Sequence, residues 1–137
     1  MKASVCLTLL ILFFTGCDYN DASDCTNQGC TELFKTIVVT VINADRNPVA
    51  LDSFKVTNSE NGNDLTREVT ASEFEEMREN GVYPLFGDEF VNEFKNKEAE
   101  INFKGYLNNL EIVNSNYTVG ADCCHVILIS GEPEISI

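Results

Sequence analysis

Positive charge is scarce in this 137-residue chain: nine Lys and Arg stand against 22 Asp and Glu, a formal net charge of −13. A surface this acidic repels phosphate backbones and anionic headgroups, which argues against a nucleic-acid partner. Histidine is scarcer still, with His125 the single example. One imidazole beside two cysteines leaves no credible Ser-His-Asp set, and no nucleophile elbow, phosphate loop or metalloprotease helix occurs. No catalytic constellation and no cofactor are therefore expected. No apolar run is long enough to span a bilayer: residues 5–14 would cover about 15 Å as a helix, against roughly 30 Å of hydrocarbon. Internal repeats and low-complexity segments are missing too, and the length suits one domain with one core.

What is present begins as an export signal. Lys2 supplies a positive start, residues 5–14 an apolar segment broken only by Cys6 and Thr8, and Thr15 and Gly16 the small residues before a cleavage site. Phe14-Thr15-Gly16-Cys17 resembles the lipobox of bacterial lipoproteins, although Phe14 departs from the aliphatic residue commonest there. The resemblance implies that residues 1–16 are removed as a lipoprotein signal peptide and that Cys17, acylated with palmitate-type chains, becomes the first residue. Two or more acyl chains hold a protein stably on a membrane, each buried methylene contributing about 0.8 kcal/mol. Residues 17–31 then read as an acidic flexible tether carrying Asp18, Asp21 and Asp24. The expected location is the bacterial cell envelope, with the chain anchored to the outer membrane on its periplasmic face or at the cell surface. The membrane itself stays open between two resemblances. An acid directly behind the lipid cysteine resembles an inner-membrane retention signal, and an acidic cluster there resembles a Bacteroidetes surface-export signal.

Residues 32–137 read as a mainly β domain. Residues 33–43 are rich in β-branched side chains and end in a polar turn; residues 49–57 alternate Leu51, Phe54 and Val56 with polar neighbours; an Asn-Gly turn follows, with a return strand expected at 65–69. Thr70 and Glu73 have capping-box spacing and Asn80-Gly81 forms a stop, which predicts a short surface helix of about two turns with Phe74 and Met77 as its apolar stripe. Its Glu73, Glu75, Glu76 and Glu79 read as a solvated face, since nothing apolar beside them would raise a pKa. Residues 82–86 suit an edge strand because Pro84 cannot donate to a ladder. Phe90, Val91 and Phe94 fit a strand or a helical turn. Residues 99–106 alternate cleanly, with Ile101, Phe103 and Gly105 facing one way and Asn102, Lys104 and Tyr106 the other. Asn108-Asn109 turns the chain into strands at 110–113 and 117–119, the apolar run 125–129 is expected as a central strand buried on both faces, and 134–137 as the last strand. The fold class is a small antiparallel β-sandwich with one short helix.

Two further resemblances are carried by particular residues. The early strand followed by Asp45-Arg46-Asn47-Pro48-Val49 is similar to the opening of carboxypeptidase-regulatory-like and transthyretin-like sandwich domains, which implies an Ig-like or transthyretin-like sandwich. Residues 117–131, with Gly120-Ala121-Asp122-Cys123-Cys124-His125 at their centre, look like the C-terminal segment of uncharacterised Bacteroidetes lipoproteins of similar length. Neither brings catalytic residues.

Four cysteines remain once Cys6 and Cys17 are set aside: Cys25, Cys30, Cys123 and Cys124. An even number in an oxidising compartment points to disulfides. Of three connectivities, the one bridging neighbours Cys123 and Cys124 strains the backbone, because successive strand residues face opposite ways. The other two both link the N-terminal segment to the late strand twice. The alternative is a zinc or copper(I) site on Cys123, Cys124 and His125, against which stands the difficulty of converging three adjacent ligands from an extended strand. No Cys-x-x-Cys motif supports redox catalysis. Asp18, Asn20 and Asp24 lack the glycine and distal glutamate of a calcium loop. The expectation is a lipid-anchored binding or structural accessory module with an envelope protein or glycan partner; the alternatives are a metal-binding protein and an inhibitor or immunity-type lipoprotein whose acidic surface blocks a basic partner.

Overall fold

The structure, a computed structural model, describes Cys25 and residues 29–137. The expected signal peptide, the lipidation site Cys17 and the acidic residues Asp18, Asp21 and Asp24 lie outside the described residues. In chain order the elements are β1 (Thr36–Ile42), β2 (Ser53–Asn58), α1 (Ala71–Asn80), β3 (Val82–Gly87), a 3-10 turn (Asp88–Phe90), α2 (Val91–Phe94), β4 (Glu98–Leu107), β5 (Leu110–Ala121), β6 (Val126–Ser130) and β7 (Glu134–Ser136). They form two sheets, β3-β1-β7 and β2-β4-β5-β6, as expected of a small β-sandwich. All pairs are antiparallel except β1 with β7, which is parallel.

Period-two patterning aims the core. Ile37, Val39 and Val41 of β1 and Tyr83 and Leu85 of β3 are buried from one sheet; Val56, Ile101, Phe103, Val113, Tyr117 and Val119 are buried from the other. Each such side chain contributes about 1.5–3 kcal/mol on leaving water. Gly105 belongs to this inner face for a steric reason: a Cβ there would lie 2.8 Å from Leu51 Cδ1, so Leu51 occupies the space a side chain would need. Phe86, Phe90 and Phe94 cluster at one end, with Phe86 stacked on Phe90 at 5.1 Å and edge-on to Phe94 at 5.2 Å. Residues 90–94 are thus helical rather than extended, because the 3-10 turn and α2 fold Phe90 and Phe94 back onto Phe86.

Several expected elements took a different form. The segment after the Asn-Gly turn is not a strand; it lies along β2 through an isolated bridge between Thr57 and Asp64, with Leu65 N–H donating to Val56 O at 2.9 Å and Val56 N–H donating to Thr66 Oγ1 at 2.9 Å. The two strands expected at 110–113 and 117–119 are one strand of 12 residues. Between them Ser115 keeps the inward parity of Val113 and Tyr117, opposite Phe103, while Asn114 and Asn116 face outward, where Asn102 Nδ2 donates to both Asn114 Oδ1 and Asn116 Oδ1 at 2.8 Å. Asn108 and Asn109, at φ 51° and 63°, make the left-handed turn into it. The helix α1 extends to ten residues behind a complete capping box, in which Glu73 N–H donates to Thr70 Oγ1 and Thr70 N–H to Glu73 Oε2. Gly81 ends it at φ 64°, where a Cβ would stand 2.6 Å from Val41 O.

The largest departure is β6. Expected at the centre of a sheet and buried on both faces, it is the edge strand of the four-stranded sheet, with Ile127 and Ile129 38% and 43% exposed. Its continuous apolar pattern has another cause. Ile127 and Ile129 lie over the bare backbone of Gly120 on the outer face, with Ile129 Cδ1 3.2 Å from where a Gly120 Cβ would be, while Val126 points inward. Pro84 does sit on an edge strand, β3, as expected.

Candidate functional site

The connection between β5 and β6, residues 122–125, gathers most of the unusual chemistry of the chain. Asp122 Oδ1 accepts the backbone N–H groups of Cys124 at 2.7 Å and His125 at 2.8 Å, a side-chain-to-backbone turn that folds the chain sharply. Those two backbone donors hold the Asp122 carboxyl below its ordinary range, outweighing the small cost of burial. Cys123 and Cys124 therefore sit in a bend, not on a strand. That corrects the geometry assumed for them, since adjacent side chains in a bend reach neighbouring partners that a pleated strand would separate.

Both reach the N-terminal segment. Cys25 is bonded to Cys123 and Cys30 to Cys124, with Cα–Cα distances of 5.5 and 5.3 Å, inside the range that unstrained bridges span. The chain from Cys25 onward is thereby fastened to the sandwich. The bonds also take up the sulfurs that the alternative metal site on Cys123, Cys124 and His125 would need. Among the described residues no group of three His, Cys, Asp or Glu is placed to hold a metal ion.

His125 turns to a different partner. Its Nδ1 donates to Asp88 Oδ2 at 2.7 Å, and its Nε2 meets Thr31 Oγ1 at 2.9 Å. Asp88, at the start of the 3-10 turn, also accepts the Lys35 N–H at 2.7 Å on Oδ2 and the Val126 N–H at 2.9 Å on Oδ1. Its side chain is only 10% exposed. Burial pushes the Asp88 carboxyl up, but the His125 hydrogen bond, the two backbone donors and the imidazole's charge together bring it below its ordinary value. One carboxylate thus joins the N-terminal segment, β6 and the turn after β3. The order hydroxyl, imidazole, carboxylate is that of a nucleophile relay, a set that sequence reasoning did not foresee. Thr31 and Asp88 are ordinary residues in a chain crowded with Thr and Asp, and 37 positions separate Asp88 from His125. No spacing signal could have paired them.

A second feature that the sequence left unseen is a groove of about 420 Å³ between α1 and the outer face of β1 and β3. Val38, Val82, Pro84 and Met77 line it with apolar surface, and Arg67 and Glu76 add opposite charges. Arg67 Nη1 donates to Thr36 Oγ1 at 3.0 Å, and its guanidinium lies 5.4 Å from the Phe34 ring centre. A smaller hollow of about 250 Å³ lies on the other sheet, with Lys97, Glu98, Asp122, Ile127 and Ile129 among its lining residues. Thr31 borders neither.

No helix among the described residues is long and apolar enough to cross a membrane. The two disulfides are the bonds of an oxidising, extracytoplasmic compartment. No family model, curated protein or solved structure matches the chain.

Proposed function

We propose that the chain is a lipid-anchored extracytoplasmic lipoprotein whose sandwich works as a binding or structural accessory module of the cell envelope. The observation that carries this reading is the double fastening of Cys25 and Cys30 to Cys123 and Cys124. If Cys17 bears the lipid, the eight residues from it to Cys25 span at most about 30 Å even when fully extended. The disulfides then keep the domain within that distance and present the sheets to a protein or glycan partner. The acidic surface keeps the domain off anionic headgroups and leaves nucleic acid an unfavourable partner.

Expression with labelled palmitate, followed by membrane fractionation, tests the anchor. Label on the wild type, with loss of both label and membrane association in Cys17→Ala, supports it. An unlabelled chain that still begins at Met1 overturns it.

The Thr31–His125–Asp88 relay favours a second reading, acyl transfer with Thr31 as nucleophile and His125 as base. Turnover of small p-nitrophenyl esters that disappears in Thr31→Ala would establish it, and equal rates in the two proteins would remove it.

A further inference from the structure

A sheet edge is a row of unpaired backbone groups, and three of the four edges here are covered or interrupted. Along β2, residues 63–66 take up Val56 N–H, Val56 O and Asn58 N–H. β3 carries Pro84 and is flanked by α1. β7 is three residues long and follows Pro133. Among the described residues β6 is the least protected of the four: Val126-Ile127-Leu128-Ile129-Ser130 holds no charge and no proline, and its register shifts only beyond Leu128, at Ile129. Val126 N–H donates away from β5, to Asp88 Oδ1. The register from Val126 to Leu128 is regular, so by alternation the Leu128 N–H and C=O also point outward. No described residue bonds them.

Charge selects the occupant. From residue 105 to 137, the stretch that contains β5, β6 and β7, there is no Lys or Arg, against four acids, Glu111, Asp122, Glu132 and Glu134. Glu98, opposite Gly120, and Asp122 line the hollow beside Ile127 and Ile129, two acids against the single cation Lys97. A second copy would bring its own net charge of −13 to this edge and be repelled. We propose that β6 receives an extended basic segment of a partner protein as a fifth strand of the β2-β4-β5-β6 sheet. Main-chain bonds to Leu128 give the attachment, apolar side chains of the guest pack beside Ile127 and Ile129, and its cations meet Glu98 and Asp122. The proposal rests on the reading of the chain as a binding module and narrows the partner to one chemistry.

The test uses the purified full chain and a short synthetic peptide alternating Lys and Val. Binding is expected to shift the amide signals of 126–130 and to slow hydrogen exchange at Leu128, whose outward N–H is expected to exchange fast in the free chain. Replacing the peptide's Lys by Glu, methylating its alternate amide nitrogens, or using the Ile127→Lys/Ile129→Lys variant is each expected to weaken binding roughly tenfold or more, about 1.4 kcal/mol. The variant's far-ultraviolet circular dichroism and melting curve are compared with the wild type, and the peptide changes carry the test if the variant does not fold. No binding, equal binding of the methylated peptide, or shifts confined to the Val38–Met77 groove would overturn the proposal. So would protection of Leu128 by self-association without peptide. Groove binding would leave the binding-module reading standing, and loss of the anchor at Cys17 would leave the edge proposal untouched.

Discussion

Tyr83→Phe removes one oxygen from the centre of the molecule and should cost far more than its size suggests. The Tyr83 ring is fully buried in β3, between Phe54 at 5.7 Å and Phe103 at 6.4 Å. Its hydroxyl accepts the Leu51 N–H at 2.7 Å and donates to Val49 O at 2.8 Å, pinning the connection from β1 to β2 against β3. Burial raises the phenol above its ordinary 10.0, so it stays a donor throughout the neutral range. Phenylalanine keeps the packing and leaves two backbone groups unpaired, one of them at Leu51, which has no exposed surface. An unsatisfied buried group costs about 1–3 kcal/mol, and part is recovered because the hydroxyl itself no longer has to be desolvated. The expected loss is therefore about 2–4 kcal/mol, or a melting temperature lower by roughly 10–15 °C for a domain of this size. Urea unfolding followed by tryptophan-independent far-ultraviolet circular dichroism should show a lower midpoint with an unchanged slope. A loss below about 0.5 kcal/mol would refute the reasoning, since it would mean that water or backbone movement satisfies Val49 and Leu51 equally well.

Asp88 and Asp122 are held below the ordinary carboxylate value of 3.8, so their contribution is present above that pH and lost as the pH falls through their folded values. Stability should therefore drop below about pH 4, and Asp88→Asn should flatten that drop while lowering stability at neutral pH; an unchanged acid profile would contradict the role given to Asp88. Thr70→Ala removes the cap of α1 and should cost about 1 kcal/mol, read from the urea midpoint, whereas Ser72→Ala, whose hydroxyl meets Thr70 Oγ1 at 3.2 Å but caps no backbone N–H, should cost much less. Reducing both disulfides releases loops of 98 and 94 residues. The chain-entropy model assigns about 4–5 kcal/mol to the first such bridge and less to the second; unfolding with and without a dithiol reductant measures it, and a difference under about 1 kcal/mol would show that the bridges barely restrict the unfolded chain.

Local rules served well where one residue dictates one geometry. The capping box at Thr70 and Glu73, the left-handed stop at Gly81, the Asn108-Asn109 turn and the Pro84 edge strand are each set by neighbours in sequence. The alternation of Ile101, Phe103 and Gly105 identified an inner face because β4 has one buried and one wet side. The same logic failed for β6, where Ile127 and Ile129 shield Gly120 from outside, a need created by another strand and invisible in the run itself. Segment 63–66 failed for a similar reason: its backbone covers β2 using Thr66 Oγ1 and two isolated bonds, without the ladder that a strand requires. The four cysteines could be grouped by count and compartment, but the choice between the two crossed pairings depends on the bend that Asp122 imposes. Asp88 and Thr31 carried no signal, because what makes them partners of His125 is a contact between the N-terminal segment, the turn after β3 and the start of β6.

The fastening of the N-terminal segment to the bend at 122–125 joins the fold to its proposed role. Disulfide mapping of the unreduced protein, with fragmentation across the Cys123–Cys124 peptide bond to tell the neighbours apart, tests it directly. The expected linked peptides join Cys25 to Cys123 and Cys30 to Cys124; a bond between Cys123 and Cys124, the exchanged pairing of Cys25 with Cys124 and Cys30 with Cys123, or free thiols at these positions would contradict it.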